Sequence, residues 1–168
     1  MTGAAQVVAM GVSGTGKSAV GTRVAALLSM EYVEGDTHHP QANIDKMSAG
    51  HPLTDEDRRP WLEELSAILA RRRADGEPTI LGCSALKRSY RDLLRGDGDV
   101  VFLHLAAGFD VLHERMEHRE HFFPPSLLRS QLDTLEPLQP DERGVVIDVD
   151  APLDAVVERA VAGLRPLL

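Results

Sequence analysis

The chain has 168 residues, of which 43% are hydrophobic, and this suits one compact domain with a substantial core. Its formal net charge of −8 argues against nucleic-acid binding, because proteins of that class present a basic face to the phosphate backbone. The first apolar run is short and no basic segment precedes it, so we expect neither a signal peptide nor a membrane span. The single cysteine, Cys83, excludes an intramolecular disulfide and agrees with a reducing, cytoplasmic location.

The most specific motif directly follows the first predicted strand, residues 7–10. Residues 11–18 read GVSGTGKS and fit the pattern G-x-x-x-x-G-K-[ST] of a phosphate-binding loop. In such a loop backbone N–H groups cradle the phosphates of a nucleotide, the lysine reaches the β- and γ-phosphates, and the last hydroxyl can hold Mg²⁺. We therefore expect a nucleoside triphosphate as the ligand, with Mg²⁺ at Ser18. The residues predicted to bind its phosphates here are Gly11, Ser13, Gly14, Thr15, Gly16, Lys17 and Ser18.

Short apolar runs alternate with helical patterns along the rest of the chain. Strands are predicted at residues 7–10, 32–33, 79–83, 100–105 and 145–149. Because most of these runs are continuously apolar, they suit strands buried on both faces, as in a parallel sheet. The alternation predicts a three-layer α/β/α domain that spans residues 1–168. Ligands bind such domains at the carboxyl ends of the strands.

Two segments interrupt this alternation. Residues 37–75 contain a polar stretch with breaks at Gly50 and Pro52, and residues 54–57 resemble a capping box that starts a new helix. We interpret 37–75 as a helical insertion on the substrate side. Residues 115–125 are charged at first and end in two prolines, and we interpret them as a lid.

Charged side chains follow the predicted strands, where a ligand is expected. Asp36 comes after the second strand, and its carboxylate could orient an acceptor hydroxyl, accept its proton or hold a water bound to Mg²⁺. Lys87 and Arg91 follow the third strand and lie four residues apart, so they would share one helical face that can bind an anion. Arg58 or Arg59 could complete the acceptor pocket. A solvated basic face is the alternative for all of these cations.

Arg115 and Arg119 are also four residues apart and lie within the predicted lid. We expect both to bind the phosphates of ATP, with Arg119 as a catalytic residue that neutralises charge during phosphoryl transfer. The alternative is a surface helix with ion pairs, because Glu114, Glu117 and Glu120 lie among the arginines.

A nucleotide-binding regulatory switch is the alternative class of function. Residues 141–144 match D-x-x-G, but they come after the predicted lid. The guanine-reading motif N-K-x-D is absent, because Asn43 is the only asparagine and is followed by Ile44 and Asp45. These observations favour a small-molecule kinase with an anionic acceptor.

Several stretches taken together resemble the gluconate kinase family of small P-loop kinases. They are the phosphate loop and residues 34–36, 39–40, 43–47, 52–62, 83–95 and 121–123. The resemblance runs from the first predicted strand to the last predicted helix. It implies transfer of the γ-phosphoryl group of ATP, with Mg²⁺, to the 6-hydroxyl of D-gluconate. The product would be 6-phospho-D-gluconate, which feeds the pentose phosphate pathway.

The same resemblance implies a fold like that of nucleoside monophosphate kinases, with a five-stranded parallel sheet in the order 2-3-1-4-5, and a homodimer. Arg58, Lys87 and Arg91 would bind gluconate, whose carboxylate needs cationic partners. Asp36 would face the acceptor hydroxyl and act in catalysis together with Lys17. Shikimate kinase is the competing enzyme, and residues 83–95 disfavour it.

Overall fold

The computed structural model describes residues 3–118 and 126–168. Within them the strands are β1 Gln6–Met10, β2 Glu31–Glu34, β3 Thr79–Gly82, β4 Val101–Ala106 and β5 Gly144–Asp148. The α-helices are α1 Lys17–Leu27, α2 Gln41–Ser48, α3 Asp55–Ala74, α4 Arg88–Arg95, α5 Phe109–Glu117, α6 Ser126–Thr134 and α7 Leu153–Leu164. Two short 3-10 helices span Gly35–His38 and Arg165–Leu167. No helix of these residues is long and apolar enough to cross a membrane.

The strands of the described residues form one parallel sheet in the order β2-β3-β1-β4-β5. This confirms the α/β class that the sequence predicts and the strand order that the family resemblance implies. Strand β1 is central: Val8 lies opposite Leu81 of β3 on one side and Phe102 of β4 on the other. Every residue of β1 is buried, because helices cover both faces of the sheet, and this explains its nearly continuous apolar sequence.

Helices on the two faces complete three layers. Val7 of β1 packs in one hydrophobic cluster with Val24 of α1 and Val157 of α7. Its neighbour Val8 points to the opposite face and belongs to a cluster that includes Leu65 of α3. The change of face between adjacent residues follows from the two-residue period of a strand.

The chain between β2 and β3 folds into α2 and α3. The predicted capping box is confirmed at the start of α3: the Asp57 N–H donates to the Thr54 hydroxyl at 3.1 Å, and the Thr54 N–H donates to the Asp57 carboxylate at 2.8 Å. These bonds satisfy two N–H groups near the start of the helix. Further along α3, the indole N–H of Trp61 donates to the carbonyl of Gly35 at 2.8 Å and ties the helix to the end of β2.

Two glycines allow the backbone to pack closely at the carboxyl edge of the sheet. Gly11 has φ +148°, and a Cβ there would lie 2.5 Å from the carbonyl oxygen of Leu105. A Cβ on Gly35 would collide with the carbonyl oxygen of Gly82. Gly11 therefore holds the phosphate loop against β4, and Gly35 holds the turn that carries Asp36 beside the end of β3.

Candidate active site

A cleft opens where β1, β2 and β3 end. Lys17 and Ser18 of the phosphate loop line one side of it. Asp36 after β2, Arg58 on α3 and Ser84 after β3 line the others. The structure thus brings predicted phosphate-binding and predicted acceptor-binding residues into one cleft, although they are far apart in the sequence.

The phosphate loop ends at the first turn of α1, which begins at Lys17. Gly14 and Gly16 have φ values of 87° and 85°, a left-handed conformation that glycine adopts without strain. The Lys17 ammonium donates to the carbonyl oxygens of Gly11 at 2.9 Å and Val12 at 3.2 Å. Its burial lowers the pKa of Lys17, and the negative charge of Asp36 opposes that shift. The lysine is therefore held against the loop, at the positive end of the α1 dipole.

One contact of the phosphate loop comes from α6. The backbone N–H of Ser13 donates to the side-chain oxygen of Gln131 at 2.7 Å. Gln131 was not among the predicted site residues, because a glutamine on a helix carries no recognisable signal. The two residues are 118 positions apart, and only the folded chain brings them together.

Glu34, the last residue of β2, is a second site residue that the sequence analysis missed. Its carboxylate accepts hydrogen bonds from the hydroxyl of Ser18 and, at 3.1 Å, from the hydroxyl of Tyr32. Together with Asp36 it raises the pKa of Lys17 against the effect of burial. Its place at a strand end, two residues before Asp36, was the signal that could have identified it.

The predicted acceptor cations Arg58 and Lys87 join one hydrogen-bond network. The Arg58 guanidinium donates to the Tyr90 hydroxyl at 2.8 Å, and that hydroxyl donates to the Asp55 carboxylate. The Lys87 ammonium donates to the same carboxylate at 3.0 Å. Arg58 lines the cleft directly, whereas Lys87 is absent from its lining and borders it only through this network. Arg59, the alternative to Arg58, is exposed to solvent.

Arg91 lies outside the cleft, and we therefore remove it from the predicted gluconate-binding residues. Its side chain is fully buried and forms a bidentate pair with Glu142, with Nε–Oε2 at 2.7 Å and Nη2–Oε1 at 3.0 Å. It also donates to the carbonyl oxygens of Ala85, Leu86 and Pro137. The prediction that Arg91 and Lys87 share a helical face is wrong because α4 begins at Arg88, which leaves Lys87 as the extended N-cap.

A second cleft lies on the other side of the phosphate loop, between α1, α5 and the start of α7. Gly14 lines both clefts, so the two adjoin at the loop. Arg115 of α5 lines the second cleft, and its guanidinium donates to the carbonyl oxygen of Val149. Arg119 and the rest of the predicted lid, residues 119–125, lie outside the described residues.

Comparison with known proteins decides the family. The family model for shikimate kinase matches residues 13–143. The thermoresistant gluconokinase of Escherichia coli strain K12 is 43% identical over 161 residues, covering 94% of this chain and 92% of that protein. This chain belongs to the gluconokinase family. The match to the shikimate kinase model places this gluconokinase family member among the related small P-loop kinases, and it does not favour shikimate as the acceptor.

Two solved structures agree with this assignment. A sugar kinase from Janibacter sp. HTCC2649 is 49% identical, with a TM-score of 0.91, and the match covers 96% of this chain and 94% of that one. A gluconokinase from Sinorhizobium meliloti 1021 is 48% identical, with a TM-score of 0.85 and coverage of 99% and 95%. Both the P-loop kinase fold and the family that the sequence resembles are confirmed.

The residues around Ser18 suit a Mg²⁺ ion in this gluconokinase family member. Mg²⁺ prefers oxygen ligands and usually combines one or two protein groups with substrate phosphates and water. The Ser18 oxygen keeps lone pairs for a metal while its proton is donated to Glu34, whose carboxylate can also accept from a metal-bound water. Within residues 3–118 and 126–168, no cluster of three or more His, Cys, Asp or Glu side chains forms a separate metal site.

Proposed function

We propose that this member of the gluconokinase family transfers the γ-phosphoryl group of ATP to the 6-hydroxyl of D-gluconate. The observation that carries the proposal is the cleft in which Lys17 and Ser18 face Asp36 and Arg58. Gluconate has a primary hydroxyl at one end and a carboxylate at the other. The cleft offers a carboxylate beside the phosphate loop for the first group and a guanidinium on α3 for the second.

The reaction breaks the bond between the γ-phosphorus and its bridging oxygen and forms a bond to O6 of gluconate. Asp36 orients the attacking hydroxyl and accepts its proton, since a carboxylate in hydrogen-bond reach of an acceptor can do both. Lys17 and the N–H groups of the loop neutralise the charge on the phosphates. Ser18 holds Mg²⁺, which supplies further neutralisation when bound. The products are ADP and 6-phospho-D-gluconate, which enters the pentose phosphate pathway.

ATP would occupy both sides of the phosphate loop. Its phosphates would lie at the loop, and its adenosine would lie in the second cleft, which Val111, Arg115 and Asp150 line. Two observations support this orientation. Gly14 belongs to both clefts, so a single nucleotide can span them, and the second cleft is lined by Arg115, a cation that can pair with phosphate.

Three further features belong to this proposal. Mg²⁺ accompanies ATP, as the fit of Ser18 and Glu34 supports. A homodimer is expected from the family resemblance. A cytoplasmic location agrees with the presence of a single cysteine, Cys83, which is buried.

The acceptor is tested by measuring ADP formation from ATP and Mg²⁺ with gluconate, shikimate or a nucleoside monophosphate. Of these three acceptors, we expect only gluconate to give rapid turnover. Equal or faster turnover with shikimate or a nucleoside monophosphate would refute gluconate as the acceptor. Slow GTP hydrolysis that needs no acceptor would favour the regulatory switch instead.

Asp36→Asn should lower kcat strongly while the KM for ATP changes little. The amide keeps the shape of the side chain but removes the negative charge and the ability to accept a proton, so the loss falls on the chemical step. General base contributions are typically about 10²–10⁴-fold, which sets the expected loss. Steady-state kinetics with each substrate varied in turn give the measurement. Unchanged kcat combined with lower thermal stability would make Asp36 a turn residue only.

Arg58→Ala should raise the KM for gluconate about tenfold to a hundredfold, because hydrogen bonds to a charged group contribute roughly 1.5–3 kcal/mol. Arg59→Ala is the matched control, because Arg59 is the next residue, its side chain is exposed and it does not line the cleft. It should leave both KM values unchanged. ATP binding without gluconate should stay the same in both variants. Equal effects of the two substitutions on gluconate would contradict the placement of the carboxylate at Arg58.

A further inference from the structure

His39 lines the same cleft as Asp36 and Arg58, and it comes three residues after Asp36 in the chain. Its ring is fixed in place. The ring stacks on Trp61 with centroids 3.8 Å apart and an interplanar angle of 17°. Trp61 is itself held by the bond from its indole N–H to the carbonyl of Gly35. The plane of the imidazole is therefore set by α3 and by the end of β2.

The buried side chain of Asn43 determines which nitrogen of His39 carries the proton. The Asn43 amide nitrogen donates to the backbone carbonyl of Asp57 at 2.9 Å, and a carbonyl oxygen can only accept. The same amide nitrogen lies 3.2 Å from Nδ1 of His39. Its second proton therefore points at Nδ1, which must be an unprotonated acceptor. The proton of the neutral ring then lies on Nε2.

The ring is neutral at physiological pH. Burial lowers the pKa of His39 to about 4, and the positive charge of Arg58 adds to the effect. His39 thus differs from Lys17 and Arg58, the cations that line the same cleft. It presents one uncharged N–H donor in a fixed direction, and Nε2 has no hydrogen-bond partner among residues 3–118 and 126–168.

We infer that His39 is a specificity residue of the acceptor site, whose Nε2–H donates a hydrogen bond to a hydroxyl oxygen of the polyol chain. Asn43 is a positioning residue that holds His39 in the required tautomer. The inference rests on the proposed function, because it takes the acceptor to be a polyhydroxylated acid. A neutral donor suits the uncharged middle of such a molecule, whereas Arg58 suits its carboxylate. A site built this way discriminates against an acceptor that lacks the hydroxyl, since its donor would stay unpaired.

His39→Phe tests the donor, because phenylalanine can keep the stack on Trp61 but has no N–H. We expect the KM for gluconate to rise about tenfold, with little change in the KM for ATP. His39→Gln, which restores an N–H donor near the position of Nε2, should recover much of the loss. His38→Phe is the matched control: His38 bonds to Glu64 at 3.1 Å and does not line the cleft. An unchanged gluconate KM in His39→Phe, or equal losses for gluconate and ATP, would overturn the inference.

The tautomer is tested by ¹⁵N NMR of protein labelled at histidine, with the His39 signals assigned from the His39→Gln variant. We expect an Nε2-protonated neutral ring in the unsubstituted protein. Asn43→Asp replaces the amide donor by an acceptor and should favour protonation of Nδ1. A ring protonated at Nδ1 in the unsubstituted protein would overturn the inference, whether or not the Asn43→Asp variant folds.

The two experiments separate this inference from the proposed function. Failure of the unsubstituted protein to phosphorylate gluconate would refute the proposed function, whereas the NMR measurement needs no substrate. Normal gluconate turnover that does not respond to His39→Phe would refute the role of His39 and leave the proposed function standing.

Discussion

Lys17→Ala should lower kcat by about 10²–10³-fold, the loss typical of removing one preorganised donor from a transition state. The ammonium is held at the phosphate loop by the carbonyls of Gly11 and Val12, so its charge is in place before the reaction begins. Charge that accumulates on the transferring phosphates is stabilised without reorganisation of the site. Steady-state kinetics, together with thermal unfolding to verify the fold, give the measurement.

Lys46→Ala is the control for the loss of a lysine. Lys46 lies on α2 and pairs with Asp57 at 2.6 Å, and it does not line the cleft. We expect kcat in this variant to remain near that of the unsubstituted protein. A folded Lys17→Ala variant with near-normal kcat would remove Lys17 from catalysis.

Glu142→Gln should lower the free energy of unfolding by about 3–5 kcal/mol, because it leaves the charge of Arg91 buried without its partner. Both side chains of the pair are fully buried. Burial alone would raise the pKa of Glu142, but the hydrogen bonds from Arg91 and from the backbone N–H of Gln139, together with the charges of Arg91 and Arg88, outweigh it and lower the pKa below the usual value. The pair therefore stabilises the fold above the unfolded-state pKa of a glutamate, and this contribution is lost as the pH falls through the lower folded-state pKa.

Denaturant unfolding measures the free energy of unfolding of Glu142→Gln, and Asp141→Asn is the control variant. Asp141 is the neighbouring residue, and its pair with Arg88 has an exposed carboxylate, so its loss should cost below about 1 kcal/mol. Replacing both Arg91 and Glu142 by apolar residues should recover only part of the lost stability, because the carbonyl oxygens of Ala85, Leu86 and Pro137 also lose their donor. Similar losses in the Glu142 and Asp141 variants would mean that the buried pair has no special role.

The sequence predicts the individual strands because their signals are local. A continuous apolar run such as β1 indicates a strand covered on both faces, and the glycine motif that follows fixes the start of α1. The capping box at Thr54 and Asp57 is equally local, since both of its hydrogen bonds join residues three positions apart. A short stretch of the chain is enough to specify each of these features.

The site residues that were missed or misplaced depend on tertiary contacts. Gln131 reaches Ser13 from another helix, and Asn43 orients His39 only because the carbonyl of Asp57 fixes its amide. Arg91 was assigned to the substrate from its spacing to Lys87, but that spacing has meaning only inside a helix. The actual start of α4 turns Arg91 towards Glu142, and no local pattern marks that boundary.

The contact between Ser13 and Gln131 has a thermodynamic consequence for the whole molecule. A backbone N–H carries one proton, so a phosphate oxygen that accepts from Ser13 would compete with the side chain of Gln131. A phosphate at the loop and the Gln131 side chain of α6 are then alternative partners of the same donor. Such competition is reciprocal, because two equilibria that share a component change each other by the same factor. A stronger bond between Ser13 and Gln131 would therefore weaken phosphate binding at this N–H, and a phosphate bound there would weaken the bond to Gln131.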